Sequence, residues 1–330
     1  MTMRFWRAAG SVVVTAVLLF LVLRAIRPAE LGETLSRVHP GLLLVAAVAA
    51  FGFVCARAWR YHVLLGRERV ASTRALVPIS LASWGVSLLL PGPTGDGTFV
   101  WLIRSRLGTP ISLGAGAVII SRLLDVISLV LIALLSAPLA GGIVPRVGLV
   151  LGSLVAIVMV FVLVALFWDR PRRAIVARLA QVPVAGRLVA RVEPALHELG
   201  EGSRPLALIA GTAAARLATS IQYLVLFAAI GQPLSYWQVW FALSIRTLLL
   251  GIPVQGIGGL GTGQLWWTGA LTLLGWPVED ALAASLAIHL LDLAISLPQG
   301  GAGWLILLIS RRRQVAAERT EGAEAEAQRV

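Results

Sequence analysis

The stretch Ile252-Pro253-Val254-Gln255-Gly256-Ile257-Gly258-Gly259-Leu260-Gly261-Thr262-Gly263-Gln264 constrains this chain more than any other. It lies between two apolar runs, Trp237 to Leu250 and Leu265 to Trp276, and each run is shorter than the about 20 residues a membrane span needs. The proline and five glycines of the stretch predict a broken helix. Backbone groups freed by such a break cannot face lipid, so the break must be buried in protein or line a wet cavity. Broken helices of this kind build binding sites in transporters.

The device occurs twice. Leu88 to Gly97, with Pro91, Gly92, Pro93, Gly95 and Asp96, interrupts the apolar run from Ala75 before Thr98 to Ile103 resumes it. A shift of 167 positions lays Pro91 to Gly97 on Gly258 to Gln264, Leu107-Gly108-Thr109-Pro110 on Leu274-Gly275-Trp276-Pro277, and Arg122-Leu123-Leu124-Asp125 on His289-Leu290-Leu291-Asp292. Leucine-rich sequence matches by chance. Two glycine breaks, a Leu-Gly-x-Pro turn and an intramembrane Asp at one offset read instead as an internal repeat.

The chain is 58% hydrophobic and 13% charged, against about 25% charged in a soluble domain. The fold class expected is therefore all-α and polytopic in a membrane, an inverted-topology repeat with two re-entrant broken-helix hairpins. All 28 basic residues are arginine, because lysine is absent. This removes the lysine of a phosphate-binding P-loop and the amine of a Schiff-base enzyme. The net charge of +12 is carried by loops and helix ends, which favours membrane orientation over nucleic-acid binding. Cys55 is the single cysteine, so an internal disulfide is excluded.

Charge places the segments. Arg4 and Arg7 precede an uncleaved first helix, Ala8 to Leu23, with a cytoplasmic N-terminus. A second helix, Gly41 to Trp59, leads to Arg57, Arg60, Arg67, Arg69 and Arg74, read as cytoplasmic. The first hairpin returns to that side at Arg104 and Arg106, Ser112 to Pro138 crosses outward, and Gly148 to Trp168 crosses inward. Asp169 to Pro205, with seven arginines, is a cytoplasmic connector. Leu206 to Ile230 crosses outward, the second hairpin enters and returns outside near Glu279 and Asp280, and Ala281 to Ile309 crosses inward to Arg311-Arg312-Arg313. Hence the two hairpins enter from opposite sides. The chain divides into a membrane domain, 1–310, with repeat halves at about 1–168 and 206–310 and a cytoplasmic linker, 169–205; the tail, 311–330, is expected to be mobile and cytoplasmic.

Asp96, Arg122, Asp125, Arg216, Arg246, His289 and Asp292 lie within the spans or breaks. An unpaired charge there costs about 2.5–3.5 kcal/mol. Arg122 and Asp125, three apart, can pair on one helix face, and Asp292 can pair with Arg216 or Arg246. The bland reading is ion pairs that fix helix register. The functional one is a polar midplane site, with arginine forks for phosphate and aspartates for a cationic headgroup or a coupling proton. Pro91, Gly92, Gly95, Pro253, Gly256, Gly258, Gly259, Gly261 and Gln264 form the gates. Gly256-x-Gly258-x-x-Gly261 lacks the βαβ setting of a dinucleotide site. Pro93-Thr94-Gly95-Asp96 with Asp125 departs from the paired aspartates of intramembrane proteases. His39, His62, His197 and His289 are widely separated, so no catalytic residue, metal site or cofactor is assigned.

These residues together resemble the transmembrane region of lysylphosphatidylglycerol synthases, a flippase-like membrane family. The resemblance rests on Arg57, Trp59 and Arg60, the break at Leu90 to Asp96, Arg122 to Asp125, and the break at Pro253 to Gly261. It departs at Ser121 and Gln264, where the family commonly has Glu, and at Phe99-Val100, where an Arg is usual. The synthases also carry a soluble aminoacyl-transferase domain, and here only Arg311 to Val330 follows the membrane part. The resemblance implies a lipid translocase of the cell membrane, not an enzyme. Its partners would be membrane phospholipids, anionic or aminoacylated, with no nucleic acid, and a homo-oligomer is compatible with it. The alternatives are a membrane-embedded transferase, for which only Glu279 and Asp280 offer acids near a membrane face, and a non-transporting scaffold.

Overall fold

A computed structural model describes residues 38–66, 70, 72–90, 92–141, 205–250 and 259–327, with isolated positions between 150 and 178. Eight helices order the described residues, and no strand occurs among them: α1 Pro40–Leu65, α2 Thr73–Leu89, α3 Thr94–Leu107, α4 Ile111–Ser136, α5 Pro205–Ala229, α6 Tyr236–Leu249, α7 Thr262–Thr272 and α8 Val278–Ala327. Four are long and apolar enough to cross a membrane: α1, α4, α5 and residues Val278–Arg312 of α8. Large apolar side chains such as Leu44, Val48, Leu135 and Leu206 are exposed on their outer faces. A water-soluble surface does not carry so much apolar area.

Local sequence sets the helix ends. Pro40 stands at the first turn of α1 and Pro205 at the start of α5, where the missing N–H costs nothing. The repeated Leu-Gly-x-Pro turn closes α3 and follows α7, and both of its glycines, Gly108 and Gly275, take positive φ, 68° and 88°. That backbone wraps the last carbonyls of each helix, with Thr109 donating to Ile103 and Trp276 to Leu271.

The halves correspond element by element. Starts pair as Pro40 with Pro205, Thr73 with Tyr236, Thr94 with Thr262 and Ile111 with Val278. Their packing corresponds too: α2 lies on α8 as α6 lies on α4, α1 touches α8 as α5 touches α4, and α1 packs on its own counterpart α5. That last pair is antiparallel. A Cβ on Gly211 would lie 3.4 Å from the Trp59 ring, while one on Gly52 would lie 3.7 Å from the Ala218 Cβ. Counterpart helices running in opposite senses relate the halves by an approximate twofold axis across the helices, the arrangement of an inverted repeat.

Each short pair folds back on itself. Leu76 near the start of α2 and Leu102 and Ile103 near the end of α3 share one core with Leu64 and Leu65 at the end of α1, Leu113 at the start of α4, and Leu307. Val239 near the start of α6 and Leu271 at the end of α7 share another with Ala46 of α1, Phe227 and Ile230 at the end of α5, and Ala281 and Ala284 of α8. The hairpins therefore enter the bundle from opposite ends. Close backbone contact seats α2, since a Cβ on Gly300 would come within 2.7 Å of the Gly85 Cα.

Three expectations change. The second helix does not stop at Trp59 but runs to Leu65, so Arg57 and Arg60 are buried inside it, because Tyr61, Leu64 and Leu65 extend its apolar face. The resumed half of the first hairpin starts at Thr94, not Thr98, since Pro93 caps it and the glycines are tolerated where α2 presses close. The tail is helical in continuation of α8 to Ala327, as its run of Ala and Glu favours. The helices at 8–23 and 148–168 and the linker 169–205 lie outside the described residues, apart from isolated positions, as do Pro91, Pro253, Gly256 and Gly258.

Candidate functional site

Two carboxylates organise the middle of the first half. Asp96, in the first turn of α3, receives Arg122 of α4 through two hydrogen bonds of 2.9 and 3.0 Å and Arg57 of α1 at 3.2 Å. Asp125, one helical turn beyond Arg122, receives a two-pronged fork from Arg60 at 2.8 and 3.1 Å and a short contact from Arg216 of α5. Each aspartate is thus shared by two guanidiniums. Charge-assisted forks of this geometry are the strongest hydrogen bonds a side chain makes.

Neutral groups complete the cluster. Arg60 also donates to Ser121 at 2.6 Å and Thr212 at 3.3 Å, and Arg216 donates to Ser128 at 3.1 Å. Arg57 donates to the Tyr61 hydroxyl at 3.2 Å and lies over the Tyr61 and Trp84 rings. Arg57, Arg60 and Arg216 are buried, whereas the Arg122 side chain is 50% exposed. Arg122 and Asp125 stand at mid-length of α4 and Arg216 at mid-length of α5. With about 1.5 Å of rise per residue, the cluster lies far from either end of α4 and of α5.

The second half is built differently. Asp292, buried in α8 at the position equivalent to Asp125, accepts from the Gln222 amide at 2.8 Å, the Tyr223 hydroxyl at 2.9 Å and Ser296 at 3.1 Å. The Arg246 guanidinium lies over the Tyr223 and Trp267 rings, 5.9 and 5.7 Å from their centroids. The His289 ring closes on the second break: a Cβ on Gly259 would stand 3.2 Å from its Cε1 and one on Gly263 3.4 Å from its Nδ1. Gln264 is wholly buried and its Oε1 accepts the Gly261 N–H at 2.6 Å, capping α7. In the first break Gly92 has φ of 77°, and a Cβ on Gly95 would meet the Ser83 carbonyl at 2.6 Å.

The pairings expected from sequence are corrected in two places. Arg122 does not pair with Asp125 three residues on, because the fork of Arg60 and the reach of Arg216 occupy that carboxylate while Asp96 offers Arg122 both of its oxygens. Asp292 pairs with neither Arg216 nor Arg246. The first is held by Asp125, and the second is stacked on aromatic rings. Sequence reading missed Arg57, Arg60, Gln222 and Tyr223. The arginine signal was the three-residue spacing of Arg57 and Arg60 ahead of Tyr61, Leu64 and Leu65, which fits a helix face better than a loop. Glu279 and Asp280 occupy the first turn of α8, where acids complement the helix dipole.

The departures from the family pattern now have locations. Ser121 gives Arg60 a neutral acceptor, Phe99 stacks on Tyr61 with centroids 4.0 Å apart, and Gln264 caps a helix. No curated protein and no solved structure matches the chain. The sequence model described as lysylphosphatidylglycerol synthase TM region matches residues 8–300. A match over most of the chain, on a bundle of apolar spans and two folded-back hairpins, makes this multi-pass membrane protein a member of the lysylphosphatidylglycerol synthase transmembrane-region family.

Proposed function

We propose that the chain is a lipid translocase that passes an amphipathic lipid with an anionic headgroup between the leaflets of the cell membrane, both termini being cytoplasmic. Family membership supports a role in lipid handling. The observation that carries the finer reading is the charge balance of the central cluster: among the described residues, Arg57, Arg60, Arg122 and Arg216 face two carboxylates, Asp96 and Asp125. Two guanidinium charges are in surplus at mid-helix depth, where uncompensated charge is expensive. A lipid phosphate supplies the missing anion, and arginine forks fit its oxygens. Arg122, half exposed and tied to Asp96 at the tip of the first hairpin, is the residue that meets the headgroup while the acyl chains stay in hydrocarbon. The hairpins are then re-entrant gates, the first facing the cytoplasm and the second the exterior.

The test is leaflet exchange of an acyl-labelled phosphatidylglycerol in vesicles holding the purified protein, with lipid mass monitored. The expected result is exchange of unmodified lipid. Arg122→Ala removes a charge-assisted contact of about 1.5–3 kcal/mol and slows exchange by roughly ten- to a hundredfold. Exchange that ignores Arg122 overturns the reading, and a covalently altered lipid makes the protein a transferase.

A further inference from the structure

The repeat places one aspartate at the same position in each half, and the two have opposite surroundings. Asp125 is clamped by Arg60 and Arg216, so its charge is fixed. Asp292 is equally deep in its helix and buried, but the donors it meets among the described residues are neutral: Gln222 and Ser296 on Oδ1, and Tyr223 on Oδ2. A carboxylate offers about four acceptor positions. Here Oδ1 takes two donors and Oδ2 one, which leaves room on Oδ2 for a proton.

We infer that Asp292 is the proton-binding site that couples lipid movement to a proton gradient. This rests on the translocase reading for its purpose but not for its chemistry. The other ionisable groups around it are few. On α8 itself His289 precedes it by one turn, toward the second break. From α5 comes Tyr223, and the Arg246 guanidinium of α6 lies over the Tyr223 ring rather than on the carboxylate. α7 has no ionisable side chain. In α1 Arg57 and Arg60 are engaged with Asp96 and Asp125, and α2 contributes only Arg74, in its first turn. Loading and unloading a proton here changes the charge of the buried second half by one unit, beside the residues that hold the second break.

The experiment is infrared difference spectroscopy of the purified full chain across a pH titration, combined with vesicle transport under an imposed pH gradient. A protonated-carboxyl C=O band should appear on acidification, vanish in Asp292→Asn, and shift in Tyr223→Phe, which keeps the carboxylate but removes the donor on Oδ2. In vesicles, one proton per lipid and a gradient of one pH unit support about a tenfold lipid asymmetry, which Asp292→Asn should lose. A band that persists in Asp292→Asn and does not move in Tyr223→Phe overturns the proton site, whether or not lipid moves. So does asymmetry driven by a sodium gradient and indifferent to pH. An Asp292-dependent band in a protein that moves no lipid upholds the site and removes the translocase reading instead.

Discussion

Asp125 and Asp292 show how neighbours decide what a buried carboxylate does. Removing the charge of Asp125 strands Arg60 and Arg216 without a counter-ion, and breaking a buried pair in this way costs about 3–5 kcal/mol. Removing that of Asp292 trades charged for neutral hydrogen bonds with Gln222, Tyr223 and Ser296, at about 1–3 kcal/mol. Thermal unfolding in detergent should therefore rank Asp125→Asn well below Asp292→Asn, and equal losses would contradict the assignment of a fixed and a neutral-lined carboxylate. The sequence marked Asp96, Arg122, Asp125, Arg216 and Asp292 as members of the site, because charge at membrane depth is rare. It did not mark which partner each would take. Partner choice depends on which helix faces which, and Arg57 and Arg60 were hidden by a helix that runs more than one and a half turns past Trp59.

Among the elements, the pairing of α1 with α5 fixes the sense of the repeat. The contact between Gly52 and Ala218 sits where each helix meets its own counterpart, and a Cβ at 52 would lie 3.7 Å from that at 218. A disulfide needs about 3.5–4.5 Å between the two Cβ atoms. With Cys55 replaced by Ser, the double variant Gly52→Cys, Ala218→Cys should cross-link on oxidation, as followed by the mobility of the chain cut between its halves. Failure to cross-link, or cross-linking instead to a cysteine near either helix end, would contradict antiparallel packing at that point. The short helices were legible from the proline and glycine breaks, since a run that cannot span the bilayer must turn back or stop. Their ends were less so. Gly95 and Gly97 argue against helix by propensity, yet α3 begins before them because Gly95 lets its backbone press on Ser83.

At the level of the whole molecule, two folded-back hairpins enter a bundle of opposed halves, and the first of them ends on a cluster with more arginine than aspartate. The opposed halves were legible in the distribution of arginines and in the offset of 167 residues, two signals carried by different side chains. The asymmetry of the centre was not, because Arg122 matches His289 and Asp125 matches Asp292 in alignment while their surroundings differ in kind. The most direct measurement is side-specific labelling of single cysteines, in a Cys55→Ser background, at Arg74 and Arg106 flanking the first hairpin and at Tyr236 and Leu273 flanking the second. A membrane-impermeant maleimide should reach positions 74 and 106 from the cytoplasmic side only and positions 236 and 273 from the opposite side only. If either pair is divided between the two sides, that hairpin crosses the bilayer as a broken span, and the gated central site proposed for this protein does not exist.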